Sequence, residues 1–281
     1  MIVALKSSLQ GEHDPEKHVP DSIRDGNQFS EKIMLKQKMT DRMRADRLLV
    51  KRGLFESRAK AQAAITAGLV TADERLIRKP SEDIAADAIL CAEAEHPWVS
   101  RGGIKLAAAL DHFGIDPRGR VCLDVGASTG GFTDVLIERG ATRVYAIDVG
   151  RDQLHRKLKS ALEVQSLEQT DIRNLDPSSL SERPDLIVID VSFISLKQVL
   201  PAAVAFAQAP ARLVALIKPQ FEAGRDRVGK GVVRDPAVHA EVCDDIAAFV
   251  QSLGWRSLGI FASPIDGGDG NREFFIGASL D

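Results

Sequence analysis

The sequence predicts an α/β protein: a doubly wound, seven-stranded parallel sheet with helices on both faces, preceded by a small α+β domain. The first observation is that seven apolar, β-rich runs alternate with helical stretches from Val121 onward. Strands buried on both faces of a parallel sheet produce this pattern. The second is a Gly-rich turn after the first run. The third is that residues 46–94 predict two short helices followed by short strands.

The alternating runs define the predicted elements of the larger domain. The strands are expected at Val121–Val125, Val144–Ile147, Leu186–Ile189, Leu213–Ile217, Leu258–Phe261 and Phe274–Ile276, with a weaker one near Val164. Helices are expected at Phe132–Arg139, Leu196–Ala207 and Val238–Leu253. The last two strands have a Gly-rich turn, Gly267–Gly270, between them. We therefore expect them to form an antiparallel hairpin.

The segment before this domain divides into two parts. Residues 1–43 are predicted to be a disordered extension, because Gly, Pro and charged residues are mixed there without an apolar period. Residues 44–95 are predicted to be a compact domain, and residues 96–281 the α/β domain. Within 44–95, Ser57 is expected to cap the second helix and Gly68 to end it. Strands are expected at Leu69–Thr71 and, after a turn, at Ile77–Pro80.

Composition excludes several classes of protein. No window approaches ~18 consecutive apolar residues, so no membrane span is predicted. The N-terminus lacks a signal-peptide pattern. The three cysteines, Cys91, Cys122 and Cys243, are widely separated, and neither they nor the six histidines have metal-ligand spacing. We therefore expect a cytoplasmic protein without disulfides or a bound metal.

Charge is unevenly distributed along the chain. Residues 41–80 contain ten basic and five acidic residues, a net charge of +5, whereas the residues after position 80 sum to −8. A basic segment in an otherwise acidic chain favours a module that binds a polyanion. The alternative is an ordinary solvated helix face, and charge alone does not decide between the two.

A first ligand-binding motif follows the first strand of the α/β domain. Small residues here let a ligand approach the backbone, and the following helix presents free N–H groups. The candidate cofactor-binding residues are Asp124, Gly126, Ser128, Gly130, Gly131 and Phe132. Ser128 replaces the second glycine of the dinucleotide pattern Gly-x-Gly-x-x-Gly, which argues against a nicotinamide cofactor. The alternative is a Gly-rich turn that binds no ligand.

Two further carboxylates extend this motif. Asp148 ends the second strand, 24 residues after Asp124, where it could accept hydrogen bonds from both ribose hydroxyls of a bound adenosine. Asp171 follows the third strand and could meet the adenine amino group. The alternatives are an ordinary aspartate at a strand end and one in a loop.

Four charged residues form the candidate catalytic set. Lys105 precedes the first strand, Asp190 and Lys218 end two apolar strands, and Glu273 opens the last one. In open α/β sheets ligands bind beyond the carboxyl ends of the strands. Lysines and carboxylates crowded there are suited to abstracting a proton from an alcohol. Considered singly, each is only a charged residue at a strand end.

Six stretches occur in the order of a known family: VSRGGIKL, DVGASTGGFTD, AIDVGRDQL, DLIVIDVSFISL, LIKPQFEAGR and GGDGNREFF. In these the chain resembles the TlyA family, hemolysin-A-like ribosomal RNA methyltransferases with an FtsJ-type catalytic domain. The resemblance implies a Rossmann-like sheet, S-adenosylmethionine (SAM) as cofactor and ribosomal RNA as partner. It also implies methylation of a ribose 2′-hydroxyl by a Lys-Asp-Lys-Glu tetrad, carried here by Lys105, Asp190, Lys218 and Glu273.

The segment from Arg47 to Ile84 resembles the small RNA-binding fold named after ribosomal protein S-four, also called the alpha-L motif. The resemblance implies that basic residues of this domain lie near RNA phosphates. Contacts with phosphates position RNA without reading its sequence. The expected RNA-binding residues are Arg47, Lys51, Arg52, Arg58 and Lys60, with Arg101 next to the catalytic set.

Two alternatives to this function remain at the level of the sequence. One is a membrane-active hemolysin, which needs an amphipathic or transmembrane segment that the sequence does not contain. The other is an RNA-binding protein with an inactive methyltransferase fold, which the intact tetrad argues against. The sequence indicates neither the target nucleotide nor an oligomeric state.

Overall fold

The computed structural model describes residues 41–92, 96–228, 231–267 and 270–281. The chain divides into two compact units, with the boundary between Pro97 and Trp98. Residues 1–40, which the sequence analysis assigned to the extension, lie outside the described residues. So do Gly268 and Asp269 of the predicted hairpin turn.

In its described residues the first unit contains two helices and five short strands. These are β1 (Arg42–Arg44), α1 (Ala45–Lys51), α2 (Arg58–Thr66), β2 (Val70–Ala72), β3 (Arg75–Leu76), β4 (Asp83–Ala85) and β5 (Leu90–Ala92). Strand β1 pairs antiparallel with β4, and β3-β2-β5 form a second sheet. Ser57 caps α2, because its side chain accepts a hydrogen bond from the backbone N–H of Lys60. The buried side chains of α1 and α2 pack together with those of β2 and β4.

Two boundaries in this unit differ from the prediction. Strand β1 begins at Arg42, inside the segment expected to be disordered, because its backbone pairs with β4. The strand expected at Ile77–Pro80 is wrong: β3 covers only Arg75–Leu76. Ile77 is buried, and its N–H donates to the carbonyl of Val70, so the apolar signal marked a core residue just beyond the strand.

The second unit is built on a seven-stranded sheet. Its strands are β6 (Val121–Val125), β7 (Arg143–Ile147), β8 (Val164–Leu167), β9 (Leu186–Ile189), β10 (Ala211–Ile217), β11 (Arg256–Ala262) and β12 (Phe274–Leu280). Its helices are α3 (Gly102–Phe113), α4 (Gly131–Glu138), α5 (Arg156–Lys159), α6 (Leu196–Ala205), α7 (Pro219–Glu222) and α8 (Pro236–Ser252). Short 3₁₀ turns lie at Ile172–Asn174, Pro177–Ser179 and Arg225–Arg227.

The strand order is β11-β12-β10-β9-β6-β7-β8. Strands β6 to β10 pair in parallel, and β12 is antiparallel to both β10 and β11, which confirms the predicted hairpin. The chain moves outward from β6 to β8 in one direction and from β9 to β10 in the other. The carboxyl ends of β6 and β9 therefore form a topological switch point, the position where open α/β sheets bind ligands.

Apolar side chains cover both faces of this sheet. One cluster joins the sheet to α6 and α8, and the other joins it to α3 and α4. Strand β9 is buried along its whole length, which explains its continuous apolar sequence. Within the described ranges no helix has both the length and the apolar character needed to cross a membrane.

Candidate active site

The loops after β6 and β9 meet at the switch point because residue 126 is a glycine. A Cβ on Gly126 would lie 2.3 Å from the backbone oxygen of Asp190, too close for any side chain. Its backbone also has φ +85°, in the left-handed region that favours glycine. Gly126 thus brings the candidate cofactor loop against the strand end that carries Asp190.

The four residues of the candidate catalytic set form two ion pairs. Lys105 Nζ lies 2.5 Å from Glu273 Oε2, and Lys218 Nζ lies 2.5 Å from Asp190 Oδ1. Lys218 also donates a 2.9 Å hydrogen bond to Ser192 Oγ. Lys105 and Asp190 line the same cavity, of about 260 Å³. The fold therefore joins residues that are up to 168 positions apart in one site.

Strand register accounts for this convergence. Ile217 at the end of β10 pairs with Phe274 at the start of the antiparallel β12. Lys218 follows Ile217, and Glu273 precedes Phe274. The two residues therefore lie next to each other, just beyond the paired ends of β10 and β12. Glu273 also depends on a small residue opposite it, since a Cβ on Gly267 would lie 2.5 Å from Glu273 Oε1.

Asp124 lies beneath the cofactor loop and does not line the cavities at this edge. Its side chain is 0% exposed, Oδ2 accepts a 2.6 Å hydrogen bond from Thr133 Oγ1, and Oδ1 has no partner among the described residues. Burial raises the pKa of Asp124 to about 7, and the negative charge of Asp190 contributes in the same direction. The structure thus gives Asp124 a supporting position below the loop.

Asp148 borders a larger cavity, of about 510 Å³, that runs along the carboxyl ends of β6, β7 and β9. Its two carboxylate oxygens accept hydrogen bonds from the backbone N–H groups of Ser128 (2.8 Å) and Gly150 (2.7 Å). These bonds fix the carboxylate at the cavity wall. Each oxygen retains a lone pair that can accept another donor.

Other members of the predicted cofactor set occupy different positions. Gly126 and Ser128 line both cavities, whereas Gly131 and Phe132 line only the smaller one. Gly130 lines neither cavity and packs against Leu154 and Leu158. A Cβ on Gly130 would lie only 2.3 Å from Leu158 Cδ1, so the packing requires glycine.

Asp171 lines the larger cavity but already has a strong partner. Its carboxylate accepts hydrogen bonds from the Arg173 side chain, at 2.5 Å for the shortest, and from the Arg173 backbone N–H. The Arg173 guanidinium lowers the pKa of Asp171. A ligand amino group would therefore compete with Arg173 for this carboxylate.

Sequence analysis missed residues that hold the site together. Glu168 accepts hydrogen bonds from the backbone N–H groups of Asp152, Gln153 and Leu154, which shapes the loop after Asp148. Ser192 holds the Lys218 ammonium. No spacing rule points to Glu168, because its partners are backbone groups. Ser192 could have been suspected from its position two residues after Asp190.

The predicted RNA-binding residues of the first unit fall into two groups. Arg47 and Lys51 are exposed and have no side-chain partner among the described residues. They lie one helical turn apart on α1, on the same face. The others have partners within the unit: Arg52 donates to the carbonyl of Ala86, Lys60 pairs with Glu56 and Arg58 pairs with Asp46.

Asp46 is the centre of a buried polar cluster. It is fully buried and accepts hydrogen bonds from the side chains of Arg44, Arg58 and Gln62. The hydrogen bond from Arg44, assisted by those from Gln62 and Arg58, keeps the pKa of Asp46 well below its usual range. Arg58 therefore helps to hold the first unit together, whether or not it also contacts RNA. In the second unit, Arg101 is exposed at the mouth of the smaller cavity.

Comparison with known proteins assigns the chain to a family. A model described as FtsJ-like methyltransferase matches residues 98–280. The 16S/23S rRNA (cytidine-2′-O)-methyltransferase TlyA of Mycobacterium tuberculosis is 47% identical over 241 residues, covering 85% of this chain and 90% of that protein. The chain belongs to the TlyA family. The TlyA resemblance drawn from the motifs is thereby confirmed.

Other matches cover the first unit of the chain as well as the second. A model described as S4 domain matches residues 43–89, ahead of the FtsJ-like match. Hemolysin A of Brachyspira hyodysenteriae is 37% identical, covering 83% of this chain and 98% of that protein. A solved structure of a candidate hemolysin from Streptococcus thermophilus is 41% identical with a TM-score of 0.67, covering 86% of this chain and 90% of the other.

Proposed function

We propose that this protein transfers a methyl group from SAM to a ribose 2′-hydroxyl of ribosomal RNA. The observation that carries the proposal is the pairing of Lys218 with Asp190, and of Lys105 with Glu273, around one cavity beside the switch point. The named activity of the M. tuberculosis relative, an rRNA (cytidine-2′-O)-methyltransferase, supports the same reaction.

The larger cavity fits SAM in size and in the chemistry of its walls. A volume of about 510 Å³ lies within the range of small-molecule sites. Asp148 would hold the ribose hydroxyls with its remaining lone pairs, and Val149 and Ile172 offer apolar surface for the adenine. The N-terminal turn of α4 would receive the carboxylate of the amino-acid portion.

The chain's own residues would orient the hydroxyl and remove its proton. When bound, SAM supplies an electrophilic methyl group on a positively charged sulfur, so the leaving group needs no proton. Lys218, in its neutral form, would accept the hydroxyl proton at Nζ as the new carbon–oxygen bond forms. Asp190, 2.5 Å from that nitrogen, would stabilise the resulting ammonium. Lys105, held by Glu273, would orient the hydroxyl across the cavity.

We assign the first unit to RNA attachment and the second to chemistry, with the limits 44–95 and 96–281. Arg47 and Lys51, which are exposed and unpaired within the described ranges, are the favoured phosphate contacts. Arg101, at the mouth of the smaller cavity, is the favoured contact near the reacting nucleotide. Arg52, Arg58 and Lys60 would contact RNA only in addition to their partners within the unit.

The function is tested by mapping ribose methylation in ribosomal RNA incubated with SAM and the purified protein. A 2′-O-methyl group blocks alkaline cleavage at its nucleotide, so one or a few protected positions are expected with the wild type. Lys218→Ala should abolish this protection and leave the melting temperature and SAM affinity near wild type. Lys197→Ala, a lysine paired with Asp245 on the surface, is the matched control and should stay active.

Two results would contradict the proposal. One is methylation on a base by the wild type, which alkaline mapping would miss but mass spectrometry of nucleosides would detect. The other is near-wild-type turnover by Lys218→Ala, which would remove Lys218 from the chemistry. If SAM binds but nothing is methylated, the protein is an RNA-binding protein with an inactive methyltransferase fold.

A further inference from the structure

The segment that follows Asp190, Val191–Ile194, contacts Lys218 but has little backbone support of its own. Within the described ranges, none of its residues makes a hydrogen bond between backbone groups. Ser192 of this segment accepts the 2.9 Å hydrogen bond from Lys218 Nζ, and Phe193 has a left-handed backbone with φ +65°. A segment without backbone hydrogen bonds opens easily, so its position depends on how its two ends are held.

One end of this segment is held by the sheet and the other by Glu222. At the first end, the N–H of Asp190 donates to the carbonyl of Val125 on β6. At the second end, Glu222 Oε2 accepts a 2.6 Å hydrogen bond from Ser195 Oγ, and Glu222 Oε1 accepts a 2.8 Å hydrogen bond from the Leu196 N–H. Ser195 is the N-cap residue of α6. A carboxylate at this position satisfies a free N–H group and is favoured by the helix dipole.

Glu222 and Lys218 belong to the same turn of the chain. Helix α7 runs from Pro219 to Glu222, and Lys218 is its N-cap residue. The chain after β10 is therefore joined twice to the chain after β9. Lys218 makes the first connection, to Asp190 and Ser192, and Glu222 makes the second, to the start of α6. Burial raises the pKa of Glu222, and its hydrogen bonds oppose that shift. Its side chain does not line the cavities at this edge of the sheet, so it reaches the chemistry only through its neighbours.

We propose that Glu222 is a positioning residue for the chemistry at Lys218. By anchoring the start of α6, it keeps Asp190 and Ser192 against Lys218 Nζ. The proposal rests on the proposed function, in which that nitrogen accepts the hydroxyl proton. A displacement of about 1 Å in such a site can slow a reaction about a hundredfold. The proposed SAM contacts, Asp148 and the N-terminal turn of α4, follow other strands. Loss of Glu222 should therefore slow the chemistry more than it weakens SAM binding.

The experiment measures kcat and KM for SAM with ribosomal RNA in wild type, Glu222→Ala, Glu222→Gln and Glu241→Ala. Glu222→Ala should lower kcat roughly tenfold or more and raise KM for SAM less than about threefold. Glutamine has the same shape, accepts from the Leu196 N–H and can donate to Ser195 Oγ, so Glu222→Gln should keep kcat within about threefold of wild type. Glu241→Ala is the matched control. It also removes a carboxylate that accepts two hydrogen bonds, those from Arg227, and should keep the wild-type kcat.

Each outcome supports or overturns the proposal. It is overturned if folded Glu222→Ala keeps the wild-type kcat, or if its KM for SAM rises by as large a factor as kcat falls. A folded Glu222→Gln variant as slow as Glu222→Ala also overturns it, because the hydrogen bonds would then not explain the effect.

Ser195→Ala keeps the test decisive if Glu222→Ala fails to fold, since it removes only the 2.6 Å bond to Glu222 Oε2. This variant should lower kcat by roughly threefold or more at an unchanged KM for SAM. A wild-type kcat in Ser195→Ala would overturn the proposal. Failure of the wild type to methylate ribose contradicts the proposed function itself, and the positioning role falls with it.

Discussion

Asp124 is expected to make the stability of this protein fall as pH rises, and Asp124→Asn should remove that dependence. The carboxyl group is fully buried under the cofactor loop, and one of its oxygens has no donor among the described residues. Burial is the main cause that raises its pKa to about 7. Asparagine has the same shape and keeps an acceptor for Thr133 Oγ1, but it never ionises.

The size of the effect follows from the two pKa values of Asp124. In the unfolded chain the carboxyl titrates near ~3.9, whereas in the folded protein it titrates at about 7. Between these values the folded state binds more protons than the unfolded state, so the free energy of unfolding decreases as pH rises. A difference of about three in pKa lowers the free energy of unfolding by at most about 4 kcal/mol. The full loss is reached only above the folded pKa.

The assay is urea denaturation of wild type and Asp124→Asn from pH 4.5 to pH 8, followed by the fluorescence of buried Trp255. Taking the difference between the two proteins cancels the titration of all other groups. Asp124→Asn should gain up to about 3 kcal/mol relative to wild type as pH rises through this window, because about 1 kcal/mol of the total is already lost at pH 4.5. A difference that stays constant with pH would show that Asp124 ionises normally in the folded state, and the reasoning would fail.

Three further predictions follow from the sites described above. Asp148→Ala should weaken SAM binding more than tenfold in calorimetry, since two charge-assisted bonds of roughly 1.5–3 kcal/mol each are lost; exposed Asp152→Ala is the control, and equal affinities would contradict the assignment. Phe193→Gly should not lower the free energy of unfolding measured in urea, because it relieves a left-handed backbone worth about 1 kcal/mol and removes a side chain that is 91% exposed; a clear loss of stability would show that the ring packs against the protein. Arg47→Gln with Lys51→Gln should make the salt dependence of RNA binding shallower by about 0.7–0.9 per lost contact; a slope equal to that of wild type would show that both cations face only solvent.

The sheet was predictable because its strands are buried on both faces. All seven apolar runs coincide with strands, and the errors are confined to ends: the run at Leu258–Phe261 extends to Arg256–Ala262. The extra residues there are exposed or partly buried, so they give no apolar signal. Backbone pairing with β12 keeps them in the strand. In the first unit the strands are only two or three residues long, too short for a period to show.

The candidate site was predictable to the extent that it lies at strand ends. Asp190 and Lys218 could be placed from the runs that precede them, and Glu273 from the run that follows it. The choice of partners could not, because it depends on which elements are neighbours: Lys218 pairs with Asp190 across the adjacent parallel strands β10 and β9, and Glu273 pairs with Lys105 of α3.

The net charge counted from the sequence depends on the range of residues that is chosen. Residues 41–80 carry +5, but the domain 44–95 contains nine basic and nine acidic residues and is neutral. What distinguishes its cations is whether a carboxylate already holds them. Arg58 is bound to buried Asp46, whereas Arg47 and Lys51 have no such partner among the described residues. Local pairing within the domain, rather than its net charge, therefore determines which of these residues are free to bind phosphate.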